Sequence, residues 1–322
     1  MKIIFTGTSE FAVPSLEALI ASAHEVLAVI TQPDRPKGRG GQVQMSPVKE
    51  IALAHSIPVL QPEQVAEPDS VAEIKQLGPV GAMVVVSYGQ KIPPEILSWP
   101  RYGAVNVHGS VLPKYRGAAP IQHAIIAGEK TTGVTTMLMD EGWDTGDILL
   151  QESIDILPDE NAGTLSRRLS FLGARLLIRT LDGLEQGIVS PISQDNELAS
   201  LAHSLKRDAG VIDWSAPADV VVNLVRGCTP KPGAFTVYSG VMIKIWHATI
   251  ERPDGPQGEP GEVIRVDQEG VVIAAGTGSV RLLDVQPESR KRSPAAEFAH
   301  GSHLKPGDRF EVRFEMSASS AA

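Results

Sequence analysis

Residues 82–88 read AMVVVSY, a run of apolar residues that is broken only by Ser87. A strand with one face in water alternates apolar and polar residues, whereas a strand covered on both faces is apolar throughout. We therefore predict a buried strand here, in a mostly parallel sheet with helices on both of its faces.

The segments around this run alternate between strand and helix patterns. Short apolar segments predict strands at 2–8, 25–31 and 104–110, and apolar residues at helical spacing predict helices at 13–23, 46–56 and 163–187. Ser46 and Pro47 suit the cap and the first position of the second of these helices. The alternation predicts one Rossmann-like α/β domain over residues 1–190.

The pattern changes after residue 190. Residues 191–208 are polar and predict a linker with local helix. Short β segments then follow one another between Gly and Pro turns as far as RFEVRFE at 309–315, which indicates a small β-barrel or sandwich. We predict a second domain over 209–316 and a frayed tail over 317–322.

Composition limits the classes of function. The 322 residues carry a net charge of -9, so a polyanionic partner would need a local basic patch. Cys228 is the only cysteine, and no His, Asp or Glu cluster has ligand spacing, so we expect neither a disulfide nor a metal site. The opening MKIIFTGTSEF reads as a strand, and no long apolar segment suggests a membrane span. A cytoplasmic protein is expected.

The first strand-to-helix turn gives no support for a dinucleotide cofactor. It reads GTSEF at residues 7–11, with a single glycine and an acid at Glu10 that would repel a pyrophosphate. Dinucleotide-binding turns carry three glycines, and that fingerprint is missing here. The predicted sheet is therefore expected to bind another small molecule at the carboxyl ends of its strands.

Three polar side chains gather at one predicted strand end. Asn106 and His108 lie two residues apart in the strand AVNVHGS, so both side chains leave the same face. They supply a hydrogen-bond donor and a proton carrier. Asp144, in the turn EGWDTGD, can approach either the imidazole or a substrate amine. Only Ser110 offers a nearby nucleophile, which favours direct transfer without a covalent intermediate.

The residues from Asn106 onward, NVHGSVLPKYRGAAPIQHAIIAGEKTTGVTTMLMDEGWDTGDIL, resemble the signature of the folate-dependent formyltransferases. That signature reads N-x-H-G-S-L-L-P and continues to D-x-G, and this chain departs from it at Val111. The resemblance implies formyl transfer from 10-formyltetrahydrofolate to an amine without a metal, and it implies that Asn106, His108 and Asp144 are catalytic.

The same resemblance implies a folate site. Its expected contacts come from the loop after the catalytic strand and from the end of the AMVVVSY strand, and they are Ser110, Val111, Leu112, Pro113, Tyr88, Gly89 and Gln90. Asn106 would donate a hydrogen bond to the formyl oxygen and a protonated His108 would add to it. Asp144 would hold His108 or help to manage the proton that leaves the nitrogen.

The acceptor is suggested by TQPDRPKGRGGQVQMSPVK at residues 31–49. Its cations Arg35, Lys37 and Arg39 stand among glycines, so the segment is either a solvated surface loop or a mobile loop that binds phosphates. It resembles the tRNA-contacting insertion of the methionyl-tRNA branch of the family, with Arg39 at the position credited with acceptor-end recognition. An amino-sugar nucleotide remains the alternative acceptor. A folate- or RNA-binding regulator without turnover is disfavoured, because all three catalytic residues are present.

The resemblance to that branch continues into the second half through IDWS, TPKPGAFT and IKIW, and it implies that the second domain is an OB-like barrel that helps to hold tRNA. From residue 209 onward there are 12 Lys and Arg against 14 Asp and Glu, so this domain is nearly neutral. A tRNA patch there would have to use Lys206, Arg207, Arg290, Lys291 and Arg292. We expect a monomeric enzyme that formylates methionyl initiator tRNA for translation initiation.

Overall fold

The structure, a computed structural model, describes residues 1–37, 42–255 and 257–312, which divide into two compact units. The first unit comprises 1–117, 131–154 and 166–202, and the second comprises 118–130, 155–165 and the described residues from 203 onward. Part of the predicted linker therefore lies in the first unit. No helix in the described ranges is long and apolar enough to cross a membrane.

The first unit is built on a mostly parallel sheet. Its strands are β1 (Lys2–Gly7), β2 (Glu25–Ile30), β3 (Arg35–Lys37), β4 (Gln42–Gln44), β5 (Val59–Leu60), β6 (Ala82–Val86), β7 (Ala104–His108), β8 (Thr131–Leu138) and β9 (Ile148–Asp155). Among the described residues, seven of them form one sheet in the order β5–β2–β1–β6–β7–β8–β9. The strands from β5 to β7 in this order are parallel to their neighbours, and β8 is antiparallel to β7.

Strand β6 shows why an uninterrupted apolar run belongs in the centre of this sheet. Successive side chains leave opposite faces of a strand. Ala82, Val84 and Val86 pack into one hydrophobic cluster, and Met83 and Val85 pack into another. Both faces are therefore covered, as the sequence predicted.

Up to residue 190, helices alternate with strands as predicted, and the described residues beyond it contain two further α-helices. They are α1 (Val13–Ile20), α2 (Pro47–Ala54), α3 (Pro68–Lys75), α4 (Pro94–Leu97), α5 (Pro120–Ile126), α6 (Ala162–Gln186), α7 (Ala218–Cys228) and α8 (Ala295–Ser302). The predicted cap of α2 is confirmed, because Ser46 Oγ accepts the backbone N–H of Lys49 at 3.1 Å and Pro47 opens the helix. Helix α8 is not predicted by the sequence.

The second unit contains an antiparallel sheet. Its strands are β10 (Ala234–Tyr238), β11 (Val241–Arg252), β12 (Val263–Asp267), β13 (Gly270–Ala274), β14 (Ser279–Pro287) and β15 (Ser293–Pro294). They pair in the order β10–β11–β14–β13–β12, with β15 beside β14. The fold class is thus confirmed as a mostly parallel α/β domain followed by an antiparallel β domain.

The predicted strand RFEVRFE is wrong over its described part. Arg309 makes one isolated bridge to Glu262, and Phe310 is buried against the rings of Trp214 and Tyr238 instead of continuing a ladder. Residues 313–315 of that segment lie outside the described residues. The side chain of Phe310 fills space in the hydrophobic core, and a single large side chain can do so without its backbone pairing with another strand.

A buried arginine joins the strands of the second unit. The Arg281 side chain is almost fully buried, and its guanidinium donates to Glu251 Oε2 at 2.8 Å and to Asp267 Oδ1 at 2.7 Å. Arg265 also pairs with both carboxylates. Hydrogen bonding from Arg281, helped by Arg265, lowers the pKa of Asp267 to about 2 and also lowers the pKa of Glu251.

This network predicts how stability depends on pH. Because the folded pKa of Asp267 is below its ordinary 3.8, its ionised form stabilises the fold above that pH, and the stabilisation is lost as pH falls from 3.8 to about 2. We expect Asp267→Asn to lower the free energy of unfolding by about 1 kcal/mol at pH 6, after allowing for solvent screening. The difference from the wild type should shrink towards pH 2.5 in urea titrations. A difference that stayed constant over that range would contradict the assignment.

Candidate active site

The end of β7 carries the first two candidate residues. Val105 and Val107 pack into the core, and the alternation of the strand places Asn106 and His108 on its other face. Asn106 Nδ2 donates to the backbone oxygen of Val85 at 3.1 Å. Its Oδ1 is buried and has no hydrogen-bond partner among the described residues. One N–H and the oxygen of this amide are thus available to a substrate.

His108 is held between two acceptors. Its side chain is only 7% exposed, and Nε2–H donates to the backbone oxygen of Tyr115 at 2.9 Å. On the other edge of the ring, Nδ1 lies 3.6 Å from Asp144 Oδ2. An imidazolium can donate on both sides of this arrangement, whereas a neutral ring can satisfy only one of the two acceptors.

Asp144 is carried by a tight loop that follows β8. The loop is closed where Leu138 N–H donates to the backbone oxygen of Asp147 at 2.8 Å. Asp144 adopts the left-handed conformation with φ 55°, which Asp and Asn tolerate better than other side chains. The Oδ2 atom that faces His108 also accepts the N–H of Gly117 at 2.8 Å. The backbone therefore orients the carboxylate before any substrate is present.

Two residues that the sequence did not single out for this role support that loop. Gln194 Nε2 donates to the backbone oxygens of Asp144 at 2.9 Å and of Gly146 at 2.7 Å. Gln194 Oε1 in turn accepts from Arg116 Nη2 at 2.8 Å, and the same Nη2 donates to Asn196 Oδ1 at 2.9 Å. Arg116 is buried, so its side chain braces the loop from within the fold.

The expected folate loop, Ser110 to Pro113, is tied to β8 and β9. Ser110 is fully buried and its Oγ donates to the backbone oxygen of Lys114 at 2.7 Å, so this hydroxyl is not placed as a nucleophile. Leu112 is also buried, and its backbone bonds to Thr135 Oγ1 and Gln151 Nε2. Val111 and Pro113 are half-buried and present the accessible surface of this loop.

The residues after β6 line a cavity of about 750 Å³. Tyr88 is buried, and burial raises the pKa of its hydroxyl to about 12. Gln90 Oε1 accepts the N–H of Val65 at 2.7 Å, and Gln90 Nε2 donates to Gln32 Oε1 at 3.2 Å. Gly89 has φ 90° and no side chain, which keeps the rim open. Gln90 thus shapes the wall of the cavity through contacts within the protein.

The candidate tRNA contacts are placed as follows. Arg35 is exposed on β3 and lines the same cavity, Lys37 ends that strand, and Arg39 lies outside the described residues. In the second unit Lys206, Arg290 and Lys291 are exposed, Arg207 Nη2 lies 3.3 Å from Met242 Sδ, and Arg292 Nη2 donates to Asp284 Oδ2 at 2.6 Å.

One of these cations, Arg292, meets a further one, Lys244, at the ring of Trp246. Arg292 Cζ lies 5.4 Å and Lys244 Nζ lies 4.3 Å from the centre of its ring. Trp246 Nε1 donates to Gln286 Oε1, and Gln286 Nε2 donates to the backbone oxygen of Arg290. The sequence did not single out Lys244, although its position two residues before Trp246 on β11 places both side chains on one face.

The described residues contain no group of three or more His, Cys, Asp or Glu side chains that could hold a metal ion. The polar groups brought together at the end of β7 are an amide, an imidazole and a carboxylate. These groups can donate to a developing oxyanion and carry a proton.

Comparison with known proteins gives the class. The family model described as "Formyl transferase" matches residues 1–181, and the model described as "Formyl transferase, C-terminal domain" matches residues 204–303. Both matches are to formyltransferases, which are enzymes, and this is the class that the fold and the site define.

Individual relatives are more specific. The chain is 48% identical over 309 residues to a methionyl-tRNA formyltransferase of Geobacter sulfurreducens, covering 96% of each chain. An N-formyltransferase of Helicobacter canadensis, solved with folinic acid and dTDP-3-aminofucose, is similar in fold at TM-score 0.66 and 18% identity, over 88% of this chain and 98% of that one. HypX of Aquifex aeolicus, solved with tetrahydrofolic acid, is similar at TM-score 0.65 and 19% identity, over 98% of this chain and 51% of that one. The chain belongs to the methionyl-tRNA formyltransferase family.

Proposed function

We propose that this enzyme transfers the formyl group of 10-formyltetrahydrofolate to the α-amino group of methionyl initiator tRNA, a step of translation initiation. The name of its Geobacter sulfurreducens relative and the folate ligands of two structures of similar fold support this acceptor and this donor. The observation that carries the chemistry is His108, placed between the Tyr115 carbonyl and the Asp144 carboxylate at the end of β7.

The residues present fit a formyl donor. Bound 10-formyltetrahydrofolate supplies the formyl carbon, and its nitrogen is displaced when the amine nitrogen bonds to that carbon. The buried Oδ1 of Asn106 is an acceptor without a partner among the described residues, and an N–H of the attacking amine can supply its missing hydrogen bond. Among the expected folate contacts Gly89 is exposed, Val111, Pro113 and Gln90 are half-buried, and Ser110, Leu112 and Tyr88 are buried and shape the walls.

Asn106 and His108 act on the charge that develops on the formyl oxygen. The second N–H of Asn106 Nδ2 can donate to that oxygen as the amine attacks, and the positive charge of a His108 imidazolium, whose ring nitrogens face the Tyr115 carbonyl and Asp144, stabilises the same oxygen electrostatically. Such donors are fixed by the protein before reaction, and the loss of one typically raises the barrier by about 2.7–4 kcal/mol.

Asp144 acts on the imidazole and on the proton of the amine. Its carboxylate fixes the orientation of the His108 ring and stabilises the positive charge of the imidazolium. The attacking amine loses one proton and the leaving nitrogen gains one, and the pair of His108 and Asp144 can carry it directly or through one water.

We propose that cations in each of the two units contact phosphates of the tRNA. Arg35, Lys37 and Arg39 act near the acceptor end, and the second unit contributes Lys206, Arg207, Arg290, Lys291 and Arg292. The position of Arg292 beside Lys244 on the ring of Trp246 supports the second group, because phosphate contacts need several Lys and Arg side chains on one surface. The enzyme is proposed to act as a monomer.

The test supplies two acceptors. Purified protein receives 10-formyltetrahydrofolate with either methionyl initiator tRNA or an amino-sugar nucleotide, and formyl transfer is followed. We expect formylation of the tRNA alone. Arg39→Ala should raise the KM for tRNA roughly tenfold, which corresponds to about 1.4 kcal/mol of lost binding.

A matched control is Arg101→Ala, which removes an exposed cation outside the proposed tRNA contacts. It should leave the KM for tRNA unchanged. Formylation of the sugar nucleotide alone would leave the roles of Asn106, His108 and Asp144 in place and would overturn the acceptor assignment.

A further inference from the structure

An ion pair closes the base of the hairpin formed by β3 and β4. Asp34 directly precedes β3, and Lys49 lies in the first turn of α2, after the hairpin. Lys49 Nζ donates to Asp34 Oδ2 at 2.5 Å. The Asp34 and Lys49 side chains are 23% and 15% exposed, so the pair is largely withdrawn from water.

Gln61 forms hydrogen bonds with both members of this ion pair. Its Nε2 donates to Asp34 Oδ1 at 2.9 Å and to the backbone oxygen of Gln32 at 3.0 Å, and its Oε1 accepts from Lys49 Nζ at 2.7 Å. Both oxygens of Asp34 are therefore engaged. The hydrogen bond from Lys49, followed by that from Gln61, lowers the pKa of Asp34, so the carboxylate is ionised at neutral pH.

A second contact joins the same two passages of chain. The hydroxyls of Thr31 and Ser46 share a hydrogen bond of 2.8 Å, and both side chains are buried. Ser46 also caps α2, the helix that carries Lys49. The chain is thus fixed at residues 31 and 34 before the hairpin and at residues 46 and 49 after it.

The hairpin begins immediately beyond this clamp, which we define as Asp34, Lys49 and Gln61. Arg35 pairs with Gln44 in the first register position of the hairpin. Both residues line the cavity of about 750 Å³ that Gln32, Tyr88 and Gln90 also line. A change in the angle of the hairpin at its base would therefore move one wall of that cavity.

The clamp is placed to serve the hairpin more than α2. Helix α2 already has a side-chain cap at Ser46, a proline at its first position and a buried face formed by Val48 and Ala52. Exposed ion pairs contribute little to stability, but a largely buried, fully hydrogen-bonded one fixes geometry. A fixed base matters where a wall of a substrate cavity must be held within a fraction of an ångström.

We propose that Asp34, Lys49 and Gln61 are positioning residues that hold the β3–β4 hairpin at the angle at which it receives the tRNA acceptor end. This inference rests on the proposed function. It assigns to the clamp a larger effect on the acceptor than on folate, because the clamp holds the hairpin that carries Arg35, while the expected folate contacts Tyr88, Gly89 and Gln90 follow β6 outside that hairpin.

The kinetic test uses Lys49→Met, which keeps the length of the side chain and removes its charge. We expect the KM for methionyl initiator tRNA to rise roughly tenfold and the KM for 10-formyltetrahydrofolate to rise by clearly less, while kcat stays within about twofold of the wild type. Lys49→Arg keeps the charge and should restore most of the affinity. Glu152→Gln is the matched control, since it removes ion pairs on β9, at the opposite edge of the sheet from β5.

A second measurement needs no substrate. Trypsin can cut after Lys37 and Arg39 within the hairpin segment, and the cleavage rate there reports how firmly its base is held. We expect Lys49→Met to speed these cuts about tenfold with little change at other sites, and Glu152→Gln to leave them unchanged. Unchanged cuts in Lys49→Met, or a loss of kcat instead of a rise in KM, would overturn the clamp. If the wild type formylated no methionyl-tRNA, the acceptor assignment would fail while this measurement still judged the clamp.

Discussion

Replacing His108 with alanine is expected to lower kcat for formyl transfer by about 10³-fold, the combined loss of a positive charge near the developing oxyanion and of a proton carrier. The imidazole lies between the Tyr115 carbonyl, 2.9 Å from Nε2, and the Asp144 carboxylate, 3.6 Å from Nδ1. Single-turnover formylation of methionyl initiator tRNA measures the chemical step directly. The KM for 10-formyltetrahydrofolate should change little, because the ring acts mainly as charge develops.

Two controls accompany this variant. The His108 side chain is almost fully buried, so its truncation can cost stability, and thermal unfolding must show that His108→Ala is folded at the assay temperature. His108→Gln fills more of the same space and still carries one amide donor, so it should retain more activity than alanine. A His108→Ala enzyme with more than a tenth of the wild-type kcat would remove this residue from the mechanism.

Asp144→Asn is expected to lower kcat roughly 10²-fold, with folate affinity unchanged. Asparagine keeps the shape of the side chain and tolerates the left-handed backbone at this position. Its amide oxygen can still accept the Gly117 N–H, so the loop should remain in place. What disappears is the negative charge that stands 3.6 Å from the imidazole.

The double variant separates a shared role from two independent ones. If Asp144 acts through His108, His108→Ala combined with Asp144→Asn should be about as slow as His108→Ala alone, as expected for residues that work as a unit. Multiplied effects would assign Asp144 a contact of its own with the substrate amine. Near-full turnover of Asp144→Asn with intact folate binding would end its role in handling the proton.

The sequence was a good guide wherever the signal was local. The apolar run at 82–86 predicted a strand buried on both faces, and the two-residue spacing of Asn106 and His108 predicted a shared face at a strand end. These statements depend only on the period of a strand and on the topology of parallel sheets. The identity of the acceptor depended on the resemblance of residues 31–49 to a known insertion.

The sequence was silent where support comes from distant polar side chains. Gln194 reaches Asp144 across 50 residues, and Gln61 reaches Asp34 across 27. A single glutamine in a polar segment belongs to no periodic pattern, and its side chain is equally stable in solvent. Nothing in the neighbouring sequence therefore predicts that it supports a distant loop. RFEVRFE failed for a related reason, since alternation alone cannot tell a strand from a segment whose Phe310 enters the core.

The bracing of the Asp144 loop by Gln194 has a practical consequence for exchanging domains between relatives. A graft joined at residue 190, where the sequence suggests the α/β domain ends, would take Gln194 and Asn196 from the donor of the second half. The transplanted active site would then depend on a foreign segment for the position of its carboxylate. A junction placed after Ala202, where the first unit ends, transfers the site together with its own brace.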